Sequence, residues 1–337
     1  MSDWENGTRP AGSWPGTLGD FVTGDAPMRS CLELARVAAR TELPVLILGE
    51  SGTGKTLLAH AIHNSSSRRS GAFVSFNAAA LSDTLLDSQL FGHEKGAFTG
   101  ALKRVKGKFE LADSGTLFID EIADMSPAAQ AKILRAVEYG EFERLGSEEL
   151  RHADVRLISA THLPLQRYVE SDHFRKDLFY RISGLTLRVP ALRDRPSDLK
   201  SLIASEITAA SRAQKRGIIG LSKEAADLLF SYAWPGNLRE LKRVVQAAVA
   251  RSTGEIIEAE AIIVGRAEDP VAPGSAPLAD APKRELDLTA DLTLRAIEHR
   301  HILHVLHVVH GNKRQAAHLL GLSRSTLDRK LTDHAPR

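Results

Sequence analysis

Gly49-Glu50-Ser51-Gly52-Thr53-Gly54-Lys55-Thr56 is the stretch from which the fold of this chain can be read. It fits the pattern G-x-x-x-x-G-K-[ST]. An apolar run at residues 43–48, suited to a buried parallel strand, precedes it, and a predicted helix over residues 55–63 follows. A strand turning through glycines into a helix is the setting this pattern requires. The glycines let backbone N–H groups close around phosphate oxygens, and the helix N-terminus adds partial positive charge. Lys55 can reach β- and γ-phosphates, and the Thr56 hydroxyl can ligate Mg2+. The whole octapeptide therefore reads as a nucleotide-binding loop.

Thr116-Leu117-Phe118-Ile119-Asp120-Glu121 supplies a second half for the same site. An apolar strand ending in two acids places carboxylates at the carboxyl edge of a sheet, beside the phosphates. Asp120 would hold the Mg2+ through its water shell, and Glu121 would orient and deprotonate an attacking water. Residues 72–76 and 155–160 read as further strands. Ser126-Pro127 opens a helix to about residue 139, with serine as cap and proline in the first turn. This alternation predicts a parallel sheet covered by helices. From about residue 195 only helices are expected, over 197–215, 222–232 and 237–251, the last opened by an Asn237/Glu240 capping box.

Composition bounds the rest. The 337 residues are 43% hydrophobic and 26% charged, values that exclude a disordered or collagen-like chain. The single cysteine, Cys31, excludes an internal disulfide and argues against a cysteine zinc site. No apolar run nears the roughly 18–20 residues of a membrane helix, and residues 1–20 are no signal peptide. A soluble cytoplasmic protein with no membrane partner is expected. The net charge of +2 is unevenly spread. Residues 283–337 carry ten Lys/Arg against six Asp/Glu, a balance of +4 that leaves the rest at −2. A basic end on a neutral body suits an anionic partner. Four prolines between residues 266 and 284 mark a linker that cannot bury enough surface to order itself. The expected division is a loop-like segment 1–20, a body 21–265 (α/β to about 190, helical beyond), a linker 266–285 and a compact domain 286–337.

These motifs resemble an AAA+ ATPase: an α/β phosphate-loop core with a parallel sheet and a helical lid. Gly96-Ala97-Phe98-Thr99-Gly100-Ala101 narrows the resemblance, because it is the GAFTGA hexapeptide of the sigma-54-dependent transcription activators. Trp234-Pro235-Gly236-Asn237-Leu238-Arg239 and residues 174–181 are similar to other signatures of that family. The resemblance implies ATP and Mg2+ as ligands, a ring that is a hexamer, and the hexapeptide as the contact with sigma-54 RNA polymerase. It makes Arg175 and Arg181 arginine fingers acting across subunits, Arg239 the lid arginine that senses nucleotide, and Asn77 the residue coupling the catalytic glutamate to nucleotide state. Thr161 keeps the family's sensor position. The next residue departs from it: His162 stands where the family has asparagine, and an imidazole titrating near pH ~6.5 puts a pH-sensitive or slower rate among the expectations. On residue chemistry alone, two readings stay open. Phe98 is either an exposed apolar anchor on a mobile loop or is tucked inward under a surface turn. The two arginines are either fingers or surface ion-pair residues.

Residues 286–337 read as a small all-α domain. Ile302, Val305, Leu306 and Val309 have helical spacing. His301, His304, His307 and His310 recur every three residues, which drifts around a helix and suits a polar face better than a metal. Residues 311–331 look like a Fis-type helix-turn-helix. Ala317 is small where helices cross, Gly321 permits the turn, and Ser323 caps the second helix. Lys313, Arg314, Ser323, Arg324, Ser325, Thr326, Arg329 and Lys330 are then left for double-stranded DNA upstream of a promoter. A hairpin used only for protein contact is the alternative. Together these readings imply an ATP-driven activator. The rivals are a DNA-binding regulator with a vestigial ATPase, and an AAA+ machine that unfolds proteins or remodels DNA. No sensor domain fits in residues 1–20, so control is expected from expression, ring assembly or a separate regulatory protein acting in trans.

Overall fold

The structure, a computed structural model, describes residues 16–79, 82–265, 302, 305–306, 312–320, 322, 326–327 and 330–331. Two compact units divide the chain, Met1–Ala267 and Glu268–Arg337. The first is built on a five-stranded parallel sheet. Its strands are β1 (Val45–Leu48), β2 (Phe73–Asn77), β3 (Thr116–Asp120), β4 (Arg156–Thr161) and β5 (Leu185–Arg188). Their spatial order is β2-β3-β4-β1-β5. The first four lie where the apolar runs predict them. β5 escapes a sequence reading because Thr186 and Arg188 face outward at the sheet edge and break the apolar run.

The central strands are apolar on both faces because both are covered. Leu46, Leu117, Ile119 and Leu157 pack under α3 (Asp83–Phe91), α4 (Pro127–Tyr139) and α5 (Lys176–Ile182). Val45, Ile47, Phe118, Ile158 and Ala160 pack under α1 (Ala26–Ala39) and α2 (Lys55–Asn64). The predicted start of α4 is observed: Ser126 Oγ accepts from the Ala129 N–H at 3.3 Å, and Pro127 is the first helical residue.

Three helices close the first unit: α6 (Pro196–Ala213), α7 (Lys223–Ser231) and α8 (Asn237–Arg251). They enclose their own core around the fully buried Trp234, Leu241 and Val249. A two-residue parallel pair, Gly220–Leu221 with Ile256–Ile257, interrupts the expected all-helical run. The capping box also moves by one residue. Glu240 Oε2 accepts from the Gly236 N–H at 2.8 Å, so Gly236 takes the cap position. Asn237 sits inside the helix, fully buried, with φ +51. Its amide is used elsewhere, as described below.

In the second unit, Ile302, Ala316, Ala317 and Leu327 form a buried cluster flanked by Val305, Leu306, Leu320 and Leu331. The helix Lys313–Leu319 starts at Asn312, whose Oδ1 accepts from the Gln315 N–H at 3.2 Å. Ala317 is buried, as a close helix crossing needs, and Leu322 N–H bonds its carbonyl at 2.9 Å. Val309, Gly321 and the four spaced histidines lie outside the described residues, as does the linker.

Candidate functional site

The phosphate-loop residues 49–54 join β1 to α2, and a lid segment packs over them. Gly52 has φ +78, and a Cβ there would overlap the carbonyl oxygen of Gly236. Only glycine permits that approach, which the Leu238 N–H to Gly52 oxygen bond (2.9 Å) then locks. Gly54 caps α2 in a left-handed conformation at φ +100. Lys55 is buried, and its Nζ donates to the Gly49 and Glu50 carbonyls at 2.8 and 3.1 Å. Burial lowers its pKa, and the nearby Glu121 and Asp120 carboxylates oppose that shift. Burial raises the Asp120 carboxyl, Glu121 adds to the rise, and Lys55 offsets part of it.

Ser51, Gly52, Gly54, Lys55, Thr56, Asp120, Glu121 and Arg239 line one cleft of about 200 Å³, with Leu57, Leu238 and Lys242. Residues predicted from three distant segments thus meet around one space. Thr53 braces the loop instead, its hydroxyl donating to the Glu50 carbonyl at 2.9 Å. Arg239 Nη1 donates to Ser51 Oγ at 2.8 Å. Glu121 leaves β3 with φ +53, an uncommon backbone for a residue with a side chain, and so turns out of the strand direction. Its carboxylate Oε2 accepts from His162, through the backbone N–H at 3.3 Å and imidazole Nδ1 at 2.8 Å.

The other predicted residues have different surroundings. Asn77 ends β2 opposite Asp120, but its Oδ1 accepts from the Ala79 N–H at 2.8 Å, and Glu121 bonds His162 rather than Asn77. Thr161 is fully buried, its hydroxyl accepting from the Leu163 N–H at 3.1 Å. Arg175 precedes α5 and forms a two-point ion pair with Asp177, at 3.1 and 2.7 Å. Arg181, in the last turn of α5, donates to the carbonyls of Val137 and Glu138 at the end of α4. Neither arginine lines the cleft of its own chain.

Gly96 to Ala101 form the tip of a short antiparallel ribbon, in which Gly92 and His93 pair with Lys106 and Val105. Gly96 and Gly100 have φ +85 and +102, and Thr99 is exposed. Of the two readings of Phe98, the structure takes the inward one. The ring is half-buried and meets His93 edge-to-face at 5.0 Å, and His93 in turn bonds Ser88 Oγ. The apolar side chain left open beside the hexapeptide is Leu102, 84% exposed. Beneath the ribbon lies the buried Arg144 guanidinium. Its Nε donates to Glu110 at 2.8 Å and its Nη1 to Glu94 at 2.7 Å.

In the second unit, Lys313 and Arg314 are exposed on their helix, and Thr326 and Lys330 are half-buried. Ser323, Arg324, Ser325 and Arg329 lie outside the described residues.

Comparison with known proteins places these features in one lineage. Residues 21–188 match the sigma-54 interaction domain, 193–268 the AAA+ ATPase lid domain, and 293–334 the bacterial regulatory proteins of the Fis family. Transcriptional regulatory protein ZraR of Klebsiella oxytoca is 44% identical over 312 residues, 92% of this chain and 68% of ZraR. The Nif-specific regulatory protein of Klebsiella pneumoniae is 44% identical over 250 residues, 74% of this chain and 48% of that protein. The chain belongs to the sigma-54-dependent transcriptional regulators. Among solved structures, NtrX from Brucella abortus in complex with ATP matches this regulator with a TM-score of 0.64 at 31% identity, covering 94% of this chain and 69% of NtrX. The regulator thus combines an AAA+ core and lid with a Fis-type helix-turn-helix domain.

Two residues of the regulator's site escape a sequence reading. Arg193 Nη1 donates to Glu50 Oε2 at 2.9 Å. Asn237 accepts from the Leu192 N–H at 2.7 Å and donates to the Ser51 carbonyl and Glu50 Oε2 at 3.0 and 3.2 Å. These hydrogen bonds hold the Glu50 carboxyl below its ordinary pKa. They also tie the lid to the phosphate loop. Asn237 stands in a quoted signature, yet local chemistry suggests only a cap for it; Arg193 carries no local signal.

Proposed function

We propose that the regulator hydrolyses ATP and uses the cycle to remodel sigma-54 RNA polymerase at a promoter, held on upstream DNA by its C-terminal domain. The observation that carries this reading is the meeting of Lys55, Thr56, Asp120, Glu121 and Arg239 around one cleft. The ATP complex of the similar NtrX supports the choice of nucleotide. Residues 49–54 would cradle the phosphates with backbone N–H groups. Lys55 would exchange its two carbonyl partners for phosphate oxygens, with Arg239 reaching the nucleotide from the lid.

The hydroxyl of Thr56 and the carboxylate of Asp120 form a hard oxygen donor set that fits Mg2+. When bound, this ion neutralises charge on the phosphates. Glu121 would accept a proton from the attacking water. Arg175 and Arg181 lie on the surface away from their own cleft, an arrangement that suits fingers reaching a neighbouring subunit of a ring. The tip around Phe98, Thr99 and Leu102 would be the contact with sigma-54. The proposed division keeps 21–265 as the motor, 266–285 as linker and 286–337 as the DNA-binding domain, with Lys313, Arg314, Ser323, Arg324, Ser325, Thr326, Arg329 and Lys330 facing DNA.

Two variants test the chemistry together. Lys55→Ala should lose ATP binding, because it removes the buried cation of the loop. Glu121→Gln should bind ATP with near wild-type affinity and lose turnover by roughly 100-fold or more. Wild-type turnover in both variants would remove the assignment.

A further inference from the structure

The water-activating role read for Glu121 needs one carboxylate oxygen held and the other available. The structure provides for the first condition from a single residue. Oε2 receives the His162 backbone N–H at 3.3 Å and His162 Nδ1 at 2.8 Å. An ionised carboxylate only accepts hydrogen bonds, so Nδ1 carries a proton in this contact. Oε1 has no hydrogen-bond partner among the described residues.

The contact is set by the fold. His162 follows the last residue of β4, the neighbour of β3, and Thr161 before it is fully buried. Its Leu163 bond at 3.1 Å ties the turn beyond β4. Glu121 itself leaves β3 on a left-handed backbone, which brings its side chain back toward β4. Both ends of the contact thus stand on buried strands. The Glu121 side chain, which lines the cleft, is 16% exposed, and that of His162, which lies behind it and outside the cleft lining, is 42% exposed, so the pair is reached by solvent rather than sealed in the core. A packing role alone would not select an imidazole for such a place.

We propose that His162 is the positioning residue for Glu121: it pins Oε2 and leaves Oε1 to accept from the attacking water. The proposal rests on the reading of the cleft as an ATP hydrolysis site. Side-chain chemistry makes it specific. Asparagine places its amide nitrogen as many bonds from Cα as histidine places Nδ1, so it can make the same donation. Leucine has similar reach and no donor.

The full-length chain with ATP and Mg2+ serves for the test, using steady-state turnover, KM, ADP affinity by calorimetry and a thermal melt. His162→Ala and His162→Leu should lower kcat by roughly 10- to 100-fold, the cost of a misplaced catalytic group. KM and ADP affinity should stay within about 3-fold, because the phosphate loop is untouched. His162→Asn should return kcat to within about 3-fold of wild type. In a Glu121→Gln background, His162→Ala should add no further loss, since the two act as one unit. If His162→Ala does not fold, the comparison of asparagine with leucine carries the test. Wild-type kcat in His162→Leu, or equal loss in His162→Leu and His162→Asn, overturns the assignment. Wild-type turnover in Glu121→Gln overturns the hydrolysis reading as well. A dead Glu121→Gln beside wild-type His162 variants removes the positioning role alone.

Discussion

Asn237→Ala is the perturbation whose cost can be worked most fully from this structure. The side chain is fully buried; it makes two bonds to the phosphate loop, at Glu50 and Ser51, and accepts a third from the Leu192 N–H. Truncation leaves the Leu192 N–H without its 2.7 Å acceptor, and a buried donor so orphaned costs about 1–3 kcal/mol. Loss of the amide donations to Glu50 and Ser51 costs about 1 kcal/mol more. Asn237 has φ +51, a backbone that alanine adopts at a further cost of about 1 kcal/mol. Water entering the site returns part of this, so about 3 kcal/mol is the expected net loss. For a unit of this size that lowers the melting midpoint by roughly 6–12 °C. Arg239 rides two residues further along the same helix, so ATP affinity should also fall, by about tenfold for each 1.4 kcal/mol of lost lid placement. Asn237→Gly separates the two contributions: it loses the same bonds but tolerates the backbone, and should melt above Asn237→Ala. The assays are calorimetric melting of the full chain and titration with ATP. A melt and an affinity indistinguishable from wild type for Asn237→Ala would refute the clamp.

Three further outcomes follow from the proposed function. Thr99→Ala should keep ATPase within about 3-fold, as the exposed tip lies outside the cleft, and abolish transcription from a sigma-54 promoter in vitro, a loss expected when an interface hot spot is removed; normal activation would exclude the loop as output. An inactive Arg181→Ala chain mixed with an inactive Lys55→Ala chain should recover ATPase, because mixed rings contain intact composite sites. No recovery at any ratio or concentration would remove Arg181 as a finger acting across subunits. Deleting residues 286–337 should leave ATPase in place and remove site-selective, salt-sensitive DNA binding, read by electrophoretic shift at two salt concentrations.

Much of the architecture follows from local chemistry. Residues 49–56 announce a strand, a phosphate-binding turn and a helix because glycine, lysine and threonine at that spacing have few other uses. Ser126-Pro127 starts a helix by satisfying its own first donors. The apolar runs at β1, β3 and β4 betray a sheet buried on both faces. The hexapeptide at residues 96–101 narrows the family by its resemblance to a known signature, not by local chemistry, which fits an ordinary surface turn as well. Only the tertiary structure decided which side chains meet. Glu121 and His162 are 41 residues apart in the chain and share a hydrogen bond because β3 and β4 are neighbours in the sheet. Asn237 reads locally as a helix cap, yet the lid carries it to Glu50, 187 residues away. Phe98 can equally well be exposed or tucked inward until a folded His93 lies beneath it. Periodicity and capping act within a few residues and are therefore written along the chain, whereas partners brought together by strand order and lid closure are set only when the chain has folded.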